Sequence, residues 1–162
     1  DGKWVIYISA SPTHPTLWKV PVEGGEPVQL TTRSVRRVAV SPDGKWLACL
    51  DSSESSISPE APPTITLVSF VDGETQKRVS LPSSFVQARD MRWTPDGRAI
   101  VLIARRDGAL NIWMQPLDGS PPRPLTNFKH NQLLSFGLSK DGKLIYARGT
   151  AAADAILIGG FR

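Results

Sequence analysis

The sequence has little of the chemistry that most enzymes and metal proteins need. Its single cysteine, Cys49, excludes an internal disulfide and a cysteine-built zinc site. The two histidines, His14 and His130, belong to no HExxH pattern, and the G-x-S-x-G, G-x-G-x-x-G and P-loop patterns are absent as well. No apolar run approaches the roughly 18 residues of a membrane span. These absences predict a non-catalytic protein with no metal, no cofactor and no membrane-inserted segment.

Charge and composition allow a binding protein. The chain has 162 residues, 19 of them Lys or Arg and 15 Asp or Glu, for a formal net charge of +4. This mild excess permits an anionic partner without requiring one. Aromatic platforms interleaved with basic residues are missing, which argues against nucleic acid. The 13 glycines and 14 prolines indicate many turns, and the five tryptophans argue against disorder.

An internal repeat organises the sequence. Asp-Gly followed by a basic residue occurs four times, each time before an apolar run, which is a strong hairpin signal. The first and third units align without a gap, residues 1–31 on residues 96–126, so that Trp18 meets Trp113. The four tripeptides are Asp1-Gly2-Lys3, Asp43-Gly44-Lys45, Asp96-Gly97-Arg98 and Asp141-Gly142-Lys143.

Each unit is predicted to form four short strands. The Asp-Gly pairs lie 42, 53 and 45 residues apart, and four-stranded units at this spacing predict a β-propeller. We therefore predict an all-β propeller segment of about four antiparallel blades. The first blade lacks its innermost strand and the last lacks its outermost, so we expect upstream blades or a second copy of the chain to complete the ring. The predicted blade units are about 1–34, 35–85, 86–130 and 131–162. The predicted innermost strands are 38–41, 91–94 and 136–139, and the last blade's third strand is 155–159.

Three of these turns resemble a known family. The segments SPDGKWLACL at 41–50, TPDGRAIVLI at 94–103 and SKDGKLIYAR at 139–148 are similar to the repeats of the TolB-like, WD40-like (PD40) propellers. The resemblance covers nearly the whole chain. A shorter match, LIGGFR at 157–162, resembles the C-terminal propellers of bacterial membrane-anchored kinases and winged-helix regulators. The resemblance implies a sensory or interaction role and a periplasmic or extracytoplasmic location.

The connections at one end of the blades are predicted to be long, and variable loops on a rigid scaffold are where function usually resides. They are the loops 9–16, 104–110 and 148–154, a Ser-, Glu- and Pro-rich insertion at 51–64, and the linkers 32–37, 82–89 and 127–134. This end collects Arg89 and a set of candidate binding residues for an anionic ligand or an acidic protein surface. It also carries acids, among them Asp51, Asp90 and Asp107, so a solvated rim that keeps the protein soluble is the alternative. The candidate binding residues are Arg33, Arg36, Arg37, Arg105, Arg106, Lys129, His130 and Arg148.

The sequence therefore favours a non-catalytic propeller scaffold that binds protein or a small anionic ligand. The Asp-Gly pairs Asp43-Gly44, Asp96-Gly97 and Asp141-Gly142 are interpreted as structural turns, since a calcium loop needs several acids. The alternative function is the gating propeller of a prolyl-oligopeptidase-like serine peptidase. That alternative requires a separate hydrolase domain.

Overall fold

The computed structural model describes residues 2–11, 14–51, 62–129 and 132–149. Within these ranges the chain forms strands and turns, with no helix, and the strands lie in four antiparallel sheets. The prediction of an all-β propeller segment is confirmed. Among these same residues there is accordingly no helix with the length and apolar character needed to cross a membrane.

The sheets follow one another along the chain as successive blades. The first has three strands, the second and third have four each, and the fourth has two described strands. The predicted third strand of the last blade, 155–159, lies outside the described residues, as does most of the Ser- and Pro-rich insertion after Asp51. The first blade contains β1 (Trp4–Ile8), β2 (Leu17–Pro21) and β3 (Val28–Gln29). The second contains β4 (Val35–Val40), β5 (Trp46–Asp51), β6 (Thr64–Ser69) and β7 (Thr75–Ser80). The third contains β8 (Val86–Trp93), β9 (Ala99–Arg106), β10 (Ala109–Pro116) and β11 (Arg123–Pro124), and the fourth β12 (Gln132–Leu138) and β13 (Leu144–Gly149).

The innermost strands are longer than the sequence pattern predicts. β4 begins at Val35, β8 at Val86 and β12 at Gln132, each three to five residues before its predicted start. The extra residues pair with the far end of the neighbouring strand, Val35 with Asp51 and Val86 with Arg105. Residues predicted to be linkers are therefore strand, because an inner strand with an exposed face accepts polar side chains that break the apolar pattern.

The loop predicted at 104–110 is a tight hairpin. Arg106 pairs with Ala109, so that only Asp107 and Gly108 form the turn. Both turn residues have positive φ, 51° and 82°, as a two-residue hairpin of this twist requires. This connection is therefore not a long loop, and it offers less room for a ligand than its sequence suggests.

The repeated Asp-Gly turns share one hydrogen-bond pattern. In the second blade the Ser41 hydroxyl donates to Asp43 at 2.6 Å, and the same carboxylate accepts from the Lys45 backbone at 3.1 Å. Gly44 completes the turn at φ 71°. Thr94 and Asp96 repeat the contact at 2.6 Å in the third blade, and Ser139 and Asp141 at 2.5 Å in the fourth. The hydroxyl three residues before glycine thus explains the Ser/Thr of the repeat.

The hydrophobic core lies between the sheets. One cluster joins the first and second blades, a second joins the second and third, and a third joins the third and fourth. In the middle cluster Trp113 packs on Phe85 of the preceding blade, with ring centroids 4.7 Å apart. Gly73 lies so close to the first blade that a Cβ there would stand 2.1 Å from the Leu30 carbonyl oxygen. Stacking between blades, more than pairing within them, therefore buries the apolar side chains.

Candidate functional site

Three arginines meet where the innermost strands begin. Arg36 and Arg37 lie at the start of β4, and Arg89 lies on β8, which is adjacent to β4. Arg36 and Arg89 occupy equivalent repeat positions, each five residues before the hydroxyl residue of its turn, Ser41 or Thr94. The repeat therefore places two arginines at equivalent positions of neighbouring blades, and both line the same cavity.

These arginines line a groove of about 560 Å³ that spans three blades. We call it the arginine groove. None of its lining residues is acidic, and the remaining wall is apolar. The wall is fixed across blades, since the Val35 backbone N–H donates to the Pro15 carbonyl at 2.7 Å. The lining residues are Ile8, Pro15, Val35, Arg36, Arg37, Ala88 and Arg89.

The backbone around Arg89 departs from regular strand geometry. The pairing of β8 with β9 shifts register on both sides of Arg89, and Asp90 has φ 49°. Bulges of this kind redirect side chains and occur near functional sites. The Arg89 Nη2 donates to the Leu133 carbonyl at 2.6 Å, which ties the guanidinium to the fourth blade. Its Nε is buried without a partner among the described residues, so this arginine is held at a cost in hydrogen bonding.

The two arginines of β4 are more open. Both are exposed, and Arg37 Nη1 donates to the Arg36 carbonyl at 2.9 Å. The structure shows no hydrogen bond or ion pair from the Arg36 guanidinium to another described residue. Guanidinium groups stay charged at physiological pH and present planar donors that fit carboxylates and phosphates. The groove thus combines one fixed and two adaptable cations.

The other candidate binding residues contact other parts of the protein or lie away from the arginine groove. Arg33 forms an ion pair with the buried Asp51 at 3.1 Å, and Thr66 donates to the same carboxylate oxygen at 2.8 Å. Lys129 is exposed and lines none of the described cavities, and His130 lies outside the described residues. The structure therefore gathers Arg36, Arg37 and Arg89 and leaves the others out of the groove.

Three further candidate arginines form contacts outside the groove, two within their own blade and one with the preceding blade. Arg105 Nη1 donates to the Gly108 carbonyl at 2.7 Å. Arg106 lies over the Trp113 ring at 5.4 Å and beside Asp107, with Nε 3.6 Å from the carboxylate. Arg148 lies on β13, and its guanidinium stacks 4.2 Å from the Phe128 ring. The Arg105 and Arg106 contacts lie at the hairpin between β9 and β10, and the Arg148 contact joins the fourth blade to the third. All three reduce the freedom of the side chains to bind a ligand.

The described residues offer no metal centre. No three of their His, Cys, Asp and Glu side chains cluster as metal ligands would. Burial raises the pKa of the Cys49 thiol to about 12, so a thiolate nucleophile does not form there at neutral pH. The Nε2 of His14 lies 2.6 Å from the Thr32 carbonyl, which holds the ring in a loop contact.

A second cleft, of about 590 Å³, opens between the third and fourth blades at the Asp-Gly end. Its floor is apolar and includes Val101 and Met114. It exists in part because the fourth blade has Leu138 at the position of Trp93, whose indole N–H reaches back to the second blade and donates to the Ala39 carbonyl at 2.9 Å. Its charged lining residues are of both signs, Asp96, Lys140 and Asp141, whereas those of the arginine groove are all positive. The arginine groove is therefore the better candidate for binding an anion.

Sequence reasoning missed the apolar half of the groove. Ile8, Pro15 and Ala88 gave no signal of a site, since each fits an ordinary strand or loop. The repeat register could have found the pairing of Arg36 with Arg89, because both precede the turn hydroxyl by the same number of residues.

Comparison with known proteins agrees on the fold. No family model and no curated protein matches the sequence. Among solved structures the chain is similar to TolB from Acinetobacter baumannii, with 24% identity and a TM-score of 0.71 over 94% of this chain and 36% of that one. It is also similar to a protein described as TolB from Agrobacterium tumefaciens, with 20% identity and a TM-score of 0.73 over 94% of this chain and 53% of that one. A prolyl endopeptidase structure matches with 19% identity and a TM-score of 0.59 over 91% of this chain and 25% of that one.

These likenesses establish a TolB-like propeller fold. The chain spans about a third to a half of the TolB structures it matches. The narrower resemblance to the propellers of kinases and winged-helix regulators stays a prediction.

Proposed function

We propose that this chain is a non-catalytic part of a propeller that binds a protein or ligand through an anionic group at the arginine groove. The observation that carries the proposal is the convergence of Arg36, Arg37 and Arg89 in one groove without an acidic lining residue. The groove lies at the inner strands, where side chains from several blades converge. A ligand there would contact three blades at once.

The expected loss of affinity follows from the hydrogen bonds that the arginines donate to the ligand. A hydrogen bond to a charged group contributes about 1.5–3 kcal/mol, so loss of two arginines should weaken binding at least tenfold. The attraction is partly screened, since Arg36 and Arg37 are exposed, and affinity should fall as salt rises. The solvated-rim alternative predicts no such dependence on individual arginines.

The test is an NMR titration with tetraglutamate as the acidic probe. Arg36→Ser combined with Arg89→Ser should weaken binding at least tenfold. The matched control is Arg78→Ser with Arg98→Ser, which removes the same charge from exposed positions that line none of the described cavities, and should change affinity less than twofold. Equal losses in both double variants would show that net charge alone attracts the probe, and the proposal would fail.

We also propose that the protein acts outside the cytoplasm, as the sequence resemblance implies. Cell fractionation of the natural protein, detected with an antibody to this segment, tests this. Recovery in the cytoplasmic fraction would contradict it.

The peptidase alternative is favoured by one observation, the similarity to a prolyl endopeptidase. In that case these blades gate access to a hydrolase domain elsewhere in the natural protein. Labelling of the natural protein by a fluorophosphonate probe would support this alternative, and absence of labelling under conditions where a known serine peptidase reacts would exclude it.

A further inference from the structure

The arginine groove has two chemically different halves. One is formed by the three guanidinium groups, and the other by Ile8, Val35 and their neighbours. Val35 is only 1% exposed and Ile8 is half-buried, so this wall belongs to the core between the first two blades. Val35 supports this wall from beneath, while the half-buried Ile8, Pro15 and Ala88 present the apolar surface that a ligand can contact.

The volume of the groove also exceeds what a bare anion needs. At about 560 Å³ it falls within the range of pockets that hold organic ligands, about 300–1,000 Å³. An inorganic anion at the arginines would leave the apolar wall in contact with water. A ligand that joins an anionic head to an apolar body would use both halves.

We infer that the groove selects a carboxylate attached to a short apolar body. This inference rests on the proposed function and names the ligand class for it. The carboxylate accepts from the arginine fork, which matches its planar geometry, and the apolar body lies along Ile8, Pro15 and Ala88. Two sources share this chemistry: a free aliphatic acid, and the last residue of a peptide that ends in an apolar side chain.

A ligand series separates this inference from simple anion binding. Acetate, butanoate and hexanoate are titrated into the protein at constant ionic strength, with inorganic phosphate as an anion that has no apolar body. Burial of each methylene is worth roughly a threefold to fourfold gain in affinity. Hexanoate should therefore bind at least tenfold more tightly than acetate and phosphate.

Two peptides distinguish the sources. A pentapeptide that ends in leucine is compared with its C-terminally amidated form. If the free carboxylate form binds at least tenfold more tightly than the amide and more tightly than hexanoate, a peptide terminus is the source. If hexanoate binds more tightly than either peptide, the free acid is the source, and both results support the inference.

A matched pair of variants locates the apolar contact. Ile8→Ser should abolish the gain in affinity from acetate to hexanoate, a ratio that is measured within the one variant. Val5→Ser, on the same strand but on the opposite face, where Val5 is 49% exposed, should leave the gain intact. Circular dichroism checks that both variants fold, and if Ile8→Ser does not, the series on the unmodified protein still decides.

The two proposals fail differently. Equal affinity for acetate, phosphate and hexanoate, with binding still lost in the Arg36→Ser and Arg89→Ser variant, would overturn the inference and leave anion binding in place. No dependence on those arginines for any probe would overturn both.

Discussion

Replacing Trp113 by alanine should cost far more stability than replacing Trp18, although the two occupy the same repeat position. Trp113 is 7% exposed and packs on Phe85 of the preceding blade. Trp18 is half-buried and shares the open face of the first blade with Val5 and Tyr7, which are 49% and 37% exposed. The comparison keeps the residue type and the repeat position constant. What differs is that a preceding blade covers Trp113 and not Trp18.

The magnitude follows from burial. Loss of a buried tryptophan costs about 3–5 kcal/mol, which includes the cavity it leaves. For Trp18, with much of its ring already in water, we expect about 1–2 kcal/mol. In a chain of this size 1 kcal/mol lowers Tm by about 2–4 °C. Trp113→Ala should therefore lower Tm by roughly 10–15 °C, and Trp18→Ala by a few degrees.

Urea unfolding followed by far-ultraviolet circular dichroism measures both variants without relying on tryptophan emission. At a concentration where light scattering shows a monomer, equal losses of unfolding free energy would refute the argument that stacking between blades carries the stability. The comparison also bears on the predicted ring. In any assembly where another blade covers the open face, Trp18 would become buried, and the two costs would converge.

Four smaller predictions follow from the turns and the thiol. Hydrogen bonds from Ser41 and the Lys45 backbone lower the pKa of Asp43, so Ser41→Ala should raise that pKa toward 3.8, as measured by carbon-detected NMR. Because folding lowers this pKa, the stabilisation by Asp43 is present above pH 3.8 and is lost as pH falls through the folded value. The unfolding free energy of Asp43→Asn should therefore depend less on pH below 3.8 than that of the unmodified protein. Cys49 should resist alkylation in the native state and react in urea, given its burial and raised pKa. Gly73→Ala should destabilise by about 2–4 kcal/mol and Gly44→Ala by about 1 kcal/mol in urea unfolding, since both require positive φ but only Gly73 meets a neighbouring backbone.

The strands and turns were predictable because the repeat carries local chemistry. An Asp-Gly turn fixes where one strand ends and the next begins, and the apolar run after it marks the strand that both neighbours cover. The ends of the inner strands were not predictable in this way. Arg36, Arg37 and Arg89 lie in segments whose charge is typical of linkers, yet they pair as strand because only one face of an inner strand must be apolar.

The candidate site was predicted as a broad set of basic residues at one end of the blades. In the structure only three arginines line the groove, because most of the others contact other residues. Sequence can place arginines at one end of the blades, but it does not show which of them already have partners. Arg33 neutralises Asp51, and Arg106 and Arg148 stack on aromatic rings. Each contact joins residues at least seven positions apart in the sequence, and those of Arg33 and Arg148 also join neighbouring units, so no local pattern encodes them.

The pairing of Arg36 with Arg89 suggests how a repeat protein acquires a site without a dedicated loop. A residue that one blade tolerates at the start of its innermost strand comes near its equivalent when the neighbouring blade carries the same residue. The fourth blade breaks the series, because Leu134 stands at the equivalent position and is 57% exposed. Leu134→Arg would extend the row to a third blade. If charge on the inner strands attracts the ligand, this variant should bind tetraglutamate more tightly than the unmodified protein, whereas Leu134→Gln should not. No gain with arginine would mean that the irregular backbone at Arg89, and not the row of charges, creates the site.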